Sequence, residues 1–322
     1  MKNFLSNIAD SNLVYVLNHS FKSLVIQILG TISAFLVSIF IANKLGSEAI
    51  GILGLSNKIA TILVVIGIFG LHKVIIKKVS YEFKTGNFRK INNIIFSVKK
   101  FTLKISFFLL VFALVIAPLL SKYIYKFNGF LLVLCIISTG IIFQIRSRIL
   151  SSALIAYNKI WQGNLVDKGL TPIYMLVVFL IFHLFQIKID IVIIALTYLF
   201  ARILMSISIE IYWKLYNDLK TNAKNIINEM LPMAKPVLVV TITAIFISSI
   251  DLIILGFFEE SYNLGLFHVA ERIALINIFI LNVANKVIGP KIAVLYKTND
   301  LESLNMLLIK VSIILFALGL FF

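Results

Sequence analysis

The sequence predicts an all-α integral membrane protein built from two copies of one helical unit. Three observations carry that prediction. Of 322 residues, 60% are hydrophobic and the mean hydropathy is +1.02, a level typical of membrane proteins and not of soluble domains. The cations behind the net charge of +16 fall between apolar runs, as expected for loops facing an anionic leaflet. And the stretch Gly51–Asn87 returns, spacing included, at Gly265–Asp300. Each copy opens on Gly and places a cation seven residues on, Lys58 in the first and Arg272 in the second. Each closes on KVI-x2-K-x5-KT, from Lys73 and from Lys286, an offset of 213 or 214 positions.

The elements follow in order. Residues 1–22 alternate polar and apolar positions and suit a helix lying at the interface. Apolar runs place spans at about 23–43, 49–71, 105–121, 129–145, 169–187, 191–211, 236–258 and 262–285. The turn NKLGSE joins the first two spans, and a short turn after Pro118 joins the third and fourth. Residues 72–104 carry nine Lys or Arg against the single acid Glu82 and form an amphipathic inner segment. Residues 146–168 return to the same side, and 212–235 form a polar linker. The domain scheme is therefore an interfacial segment 1–22, a first bundle 23–211, a cytoplasmic linker 212–235 and the start of a second bundle 236–322. After Lys310 the 12 residues 311–322 reach about 18 Å, short of a core near 30 Å, so a partial ninth span and a truncated chain are expected.

Charge fixes the expected orientation. The odd-numbered gaps hold only Lys44, Lys122, Lys126 and Lys188, whereas most of the 30 cations sit in the other segments, which places the N-terminus in the cytoplasm. There is no cleavable signal pattern. Cys135 stands alone in an apolar run, so no intrachain disulfide forms. The four histidines are scattered, and no DxD, HExxH, GxSxG or Walker A motif occurs, so neither an enzyme nor a metal or cofactor is expected.

Five ionisable side chains lie well inside spans: Lys58, Arg202, Asp251, Glu271 and Arg272. Each costs about 2.5–3.5 kcal/mol at the bilayer centre, so such residues face a cavity or a partner. Arg202 and Glu271 have a structural reading as interhelical pairs, and Asp251 is near enough to its helix end to snorkel. Lys58 and Arg272 lie about 14 Å from the outer ends of their helices, too deep for that. Helical spacing adds a seam of small and polar residues. It comprises Gly51, Gly54, Lys58 and Thr61 on span two, with Gly265, His268 and Arg272 on span eight. Span one contributes Gln27, Thr31 and Ser38, and span seven Thr241, Ser248 and Asp251. A hydrated cleft between these four spans, with cationic walls, calls for an anionic substrate. The candidate substrate-binding set is Lys58, Arg272, Arg202, His268 and Gln27, with Asp251 and Glu271 as ion-coupling acids.

These residues resemble the polysaccharide-transporter (O-antigen flippase) family, which shares a superfamily with multidrug-and-toxin exporters and lipid II flippases. The first copy matches at Leu45-Gly46, Gly51, Gly70-Leu71 and the lysines of 73–104. The second matches at Asp251, Leu255-Gly256, Gly265, Ala270, Arg272, Pro290, Ala293 and Leu295. The resemblance implies two six-helix bundles related by a parallel repeat, here with the second incomplete at about eight to nine spans. It implies alternating access that carries an undecaprenyl-diphosphate-linked oligosaccharide from the inner to the outer leaflet of the cell membrane. Proton or sodium would be the coupling ion, and membrane lipids the remaining partners. It places cavity cations at Lys58 and Arg272 and a coupling acid at Asp251. A multidrug exporter and an inactive truncated membrane protein stand as the alternatives.

Overall fold

The computed structural model describes residues 11–216, 224–297 and 300–320. Among them the backbone is α-helix joined by short turns, with no strand. Residues 1–10 of the expected interfacial segment, and 217–223 of the expected linker, lie outside the described residues. The chain divides into two compact units, Met1–Leu266 and Phe267–Phe322.

The first long helix, α1 (Ser11–Ile68), holds the first two predicted spans in its two arms. It bends at Gly46, where φ is 80° and ψ −177°, inside the turn read from NKLGSE. Only glycine adopts that backbone at little cost. From Val25 to Ile68 the helix is 44 residues, about 66 Å, more than twice the hydrocarbon thickness, so two crossings are needed to house it.

The basic segment 72–104 becomes α2 (Leu71–Lys84) and the opening turns of α3 (Phe88–Leu119). Helix α2 buries Leu71, Val74, Ile75 and Val79 and exposes Lys73 and Lys77, a division set by the 3.6-residue period. Asn87 caps α3 by accepting from the Lys90 amide at 3.2 Å. Glu82, the lone acid of the segment, is buried and pairs with Lys90 at 2.7 Å. Pro118 lacks the amide needed to continue the ladder, and α3 loosens into a π turn at Leu120–Ile124.

Helix α4 (Phe130–Ala156) is the centre of the first unit. Half of its most apolar stretch is buried, against 22% for α3, and it packs on α1, α2, α3 and the later helix α7 (Ile191–Tyr216). Between α4 and α7 lie the short α5 (Ile160–Asn164), a π turn at Leu165–Gly169 and α6 (Leu170–Leu184). The large apolar side chains left exposed, such as Phe107 and Val115 on α3, Leu180 on α6 and Leu215 on α7, make the surface that lipid would cover.

Predicted span seven is broken. It forms α8 (Leu231–Ile247) and α9 (Ile250–Phe258), meeting at 44° across Ser248 and Ser249. The chain ends with α10 (Ser261–Lys297) and α11 (Leu301–Leu320). By length and apolar composition four described helices can cross a bilayer, α1 counted once, and the bent α8–α9 pair makes a fifth.

The repeat has a physical counterpart where α10 starts. A Cβ on Gly51 would strike the Ser261 carbonyl and the Gly265 amide; one on Gly265 would strike the Ser47 carbonyl. Ser47 and Ser261 are separated by the repeat offset, as are Gly51 and Gly265, so the contact maps onto itself when the copies are exchanged. Backbones this close need glycine on both sides, and van der Waals packing of that kind is what joins helices in lipid. Ser261 Oγ adds a hydrogen bond to Glu48 Oε1 at 3.0 Å. Beside it, Tyr125 is buried against Gly256 and Phe257 and donates to the Ile253 carbonyl at 3.2 Å.

Candidate functional site

Lys58 projects from the second arm of α1 to the break in span seven, where its Nζ donates to the Ser248 carbonyl. The last carbonyls of α8 have no amide of their own helix to accept from, and the helix dipole is negative there. The break therefore supplies a neutral but polar seat for a cation. Asp251 stands on the other side of the break, in the first turn of α9, where the dipole favours an anion. Its side chain is exposed and accepts from the Leu252 amide at 2.7 Å.

Arg202 on α7 is only 5% exposed. One terminal nitrogen donates to Asn57 Oδ1 at 3.0 Å and the other to the Ile137 carbonyl at 3.3 Å, with Tyr198 beneath the guanidinium at 5.9 Å. The expected interhelical partner of Arg202 is thus a neutral amide, Asn57, the residue before Lys58. Gln27 lies on the first arm of α1, its carbonyl accepting from Thr31 Oγ1 at 2.9 Å. Three other hydroxyls of the predicted seam, Ser38, Thr61 and Thr241, donate to carbonyls four residues back on their own helices, and Ser248 to one three residues back. A hydroxyl bonded in this way keeps acceptor capacity for a ligand or water.

In the second unit His268 and Glu271 sit one turn apart on α10, with His268 Nδ1 3.1 Å from Glu271 Oε2. Arg272 follows directly in sequence. Within the first unit Lys58 reaches the break three residues before Asp251, while Arg202 bonds Asn57, the neighbour of Lys58 in sequence. Among the described residues no group of three His, Cys, Asp or Glu side chains converges on a metal-sized site.

The sequence reading missed two residues. A cavity of about 220 Å³ lies between the end of α1, α2, α4 and α8, and His72 and Arg148 line it with Ser151, Ser152 and Thr241. The expected span ends at 145 and leaves Arg148 in the inner segment 146–168, yet α4 continues to Ala156. The signal was present: Arg148, Ser151, Ser152 and Ile155 fall at helical spacing, one face of a continuing helix. Ser151 is fixed by donating to the Gly163 carbonyl at 2.9 Å.

The fold resembles that of solved structures. The MATE multidrug transporter DinF-BH, solved in complex with a ligand, resembles the chain with a TM-score of 0.63 at 16% identity, over 94% of this chain and 70% of that one. A second solved structure, named protein A, resembles it with a TM-score of 0.65 at 15% identity, over 95% and 71%. No curated protein matches the sequence. The profile of the family described as polysaccharide biosynthesis protein matches residues 16–295. The chain belongs to that family, and is a multi-pass membrane protein.

Proposed function

We propose that the chain is a flippase that carries an undecaprenyl-diphosphate-linked oligosaccharide from the inner to the outer leaflet by alternating access. Family membership supports a polysaccharide substrate. The observation that carries the reading is the polar, cation-bearing interior of the first unit: Lys58 at the helix break, Arg202 buried and held by the Asn57 amide oxygen and the Ile137 carbonyl, and the cavity of His72 and Arg148. Cations kept in a low-dielectric interior attract a diphosphate strongly, and arginine can grip its oxygens in a bidentate way. Arg272, His268 and Gln27 complete the proposed binding set, and Asp251 and Glu271 would couple the cycle to protons or sodium.

In this reading the N-terminus is cytoplasmic. Residues 23–211 form a first six-helix bundle, 212–235 a linker and 236–322 the start of the second bundle. A multidrug exporter is the second reading, favoured by the likeness to a MATE transporter. The interior cations would repel the organic cations such a protein exports.

The test is translocation of a fluorescent lipid-linked oligosaccharide in proteoliposomes, with membrane levels measured in parallel. Losing a charge-assisted contact costs about 1.5–3 kcal/mol, so Arg148→Ala and Lys58→Ala should each slow transport about ten-fold or more. Arg148→Lys should keep part of the rate. A double Ala variant that moves the lipid at the wild-type rate overturns the reading.

A further inference from the structure

A second cationic site lies away from the interior, on the flank of the first unit where α3 crosses α4. It is a groove of about 290 Å³, lined at one end by Lys99, Lys100 and Arg146 and along its length by Phe96, Leu103 and Ile145. Phe96, Lys100 and Leu103 fall at helical spacing, and Phe107 continues the same face of α3. Leu103 and Phe107 are well exposed, so this face is apolar beyond its charged end.

The charges do not cancel. Glu210 of α7 takes Lys99 at 2.7 Å and Arg146 Nε at 3.1 Å, so two cations share one carboxylate and Lys100 adds a third positive charge beside them. The terminal nitrogens of Arg146 have no protein partner among the described residues, and Lys100 has only the Phe96 ring, 5.9 Å away. Burial pushes the Lys99 pKa down, and Glu210 pulls against it without restoring it. A further anion beside Lys99 would favour its charged form.

The geometry points to a site for an anionic phospholipid of the surrounding bilayer, its phosphate held by Lys100 and Arg146 and an acyl chain laid along Leu103 and Phe107. A soluble phosphate would use the charged end and leave the apolar stripe in lipid. A neutral lipid would leave a net charge of two unmet. The site's cations belong to the 72–104 and 146–168 segments, which charge asymmetry assigns to the inner, anionic leaflet. This site stands independently of the transported substrate. Its ligand touches α3 and α4, and Glu210 ties both to α7, so occupancy would fasten these helices together.

Native mass spectrometry of the full chain, released from bilayers of phosphatidylglycerol and phosphatidylcholine, tests it. The wild-type chain should retain phosphatidylglycerol in preference. Lys100→Glu should weaken that retention by more than the roughly five-fold expected for a single neutralised cation. Lys100→Gln, which adds no repulsion, should weaken it about five-fold and serves if the reversal fails to fold. Lys84→Glu, an exposed charge of the same segment outside the groove, is the control. Equal losses at Lys84 and Lys100 would reduce the effect to general surface charge and overturn the site. Displacement of phosphatidylglycerol by equimolar undecaprenyl phosphate would assign the groove to the carrier lipid, and overturns it as well.

Discussion

Arg202 and Arg146 both tie α4 to α7, by opposite chemistry. Arg202 reaches from α7 to the Ile137 carbonyl and the Asn57 amide oxygen, and among the described residues no carboxylate meets it. Arg146 reaches from α4 to Glu210, which also holds Lys99, and is half exposed. On α7 the two sites are eight residues apart, about 12 Å. An ion pair largely cancels its own field, whereas a charge solvated by neutral dipoles keeps it. One helix pair thus carries a standing positive charge in its interior and, at its end, a cluster whose one carboxylate offsets only part of its charge. The difference separates two tasks: Glu210 holds helices together, and Arg202 holds a charge in place.

Removing Arg202 is expected to have the largest effect, and on transport more than on stability. Arg202→Met fills similar space. It leaves Asn57 Oδ1 without its donor, at a cost of about 1–3 kcal/mol, but also relieves the expense of burying a guanidinium, which offsets much of that loss. Folded protein in the membrane should change little, while the proposed flipping of a lipid-linked sugar falls about ten-fold or more. Thermal unfolding in detergent and transport in proteoliposomes separate the two. Normal transport in Arg202→Met would make Arg202 a helix fastener like Arg146 and erase the contrast.

Glu210→Ala should behave in reverse. It strands Lys99 and Arg146 as neighbouring like charges, one of them largely buried. Breaking a buried pair costs about 3–5 kcal/mol, and the exposure of Arg146 reduces this to about 2–3 kcal/mol. The unfolding midpoint should drop, with transport per folded molecule close to normal. Glu210→Ala with an unchanged midpoint would show that the cluster carries no structural weight.

How far the sequence exposed this contrast follows from the range of each signal. The helices able to cross a bilayer were legible because each needs a long apolar run, and the turn at Gly46 because glycine and polar residues interrupt one. The break at Ser248–Ser249 was not, since two serines in an apolar run are compatible with an unbroken helix and only the tertiary partner Lys58 gives the break a use. Arg202 stood out as a charge inside a span, but Asn57 did not, being a small amide beside a more conspicuous lysine. Glu210 was hidden at a helix end, and its partners lie 64 and 111 positions away, beyond any local pattern. Arg148 was lost to the rule that a charge ends a span. Helices that run on past the hydrocarbon region defeat that rule, and small residues at helical spacing are the remedy.

The smallest expected effect tests how firmly the Arg202 charge must be held. Gly140 on α4 lies under its side chain, and a Cβ there would sit 2.9 Å from Arg202 Cδ and 3.0 Å from one terminal nitrogen. Gly140→Ala keeps the charge and every hydrogen-bonding group but requires the guanidinium stem to move by a few tenths of an ångström. Helix propensity favours Ala by up to about 1 kcal/mol, and the overlap costs about as much, so the net stability change should be slight. The Asn57 bond, at 3.0 Å, has to lengthen or tilt. If position matters as well as charge, transport should fall about two- to five-fold, less than in Arg202→Met, with the unfolding midpoint almost unchanged. If only the field matters, Gly140→Ala should transport at the wild-type rate while Arg202→Met does not. If Gly140→Ala instead unfolds as readily as Glu210→Ala, the close approach at Gly140 is a packing requirement, and the contrast between the two arginines would have to be drawn in stability alone.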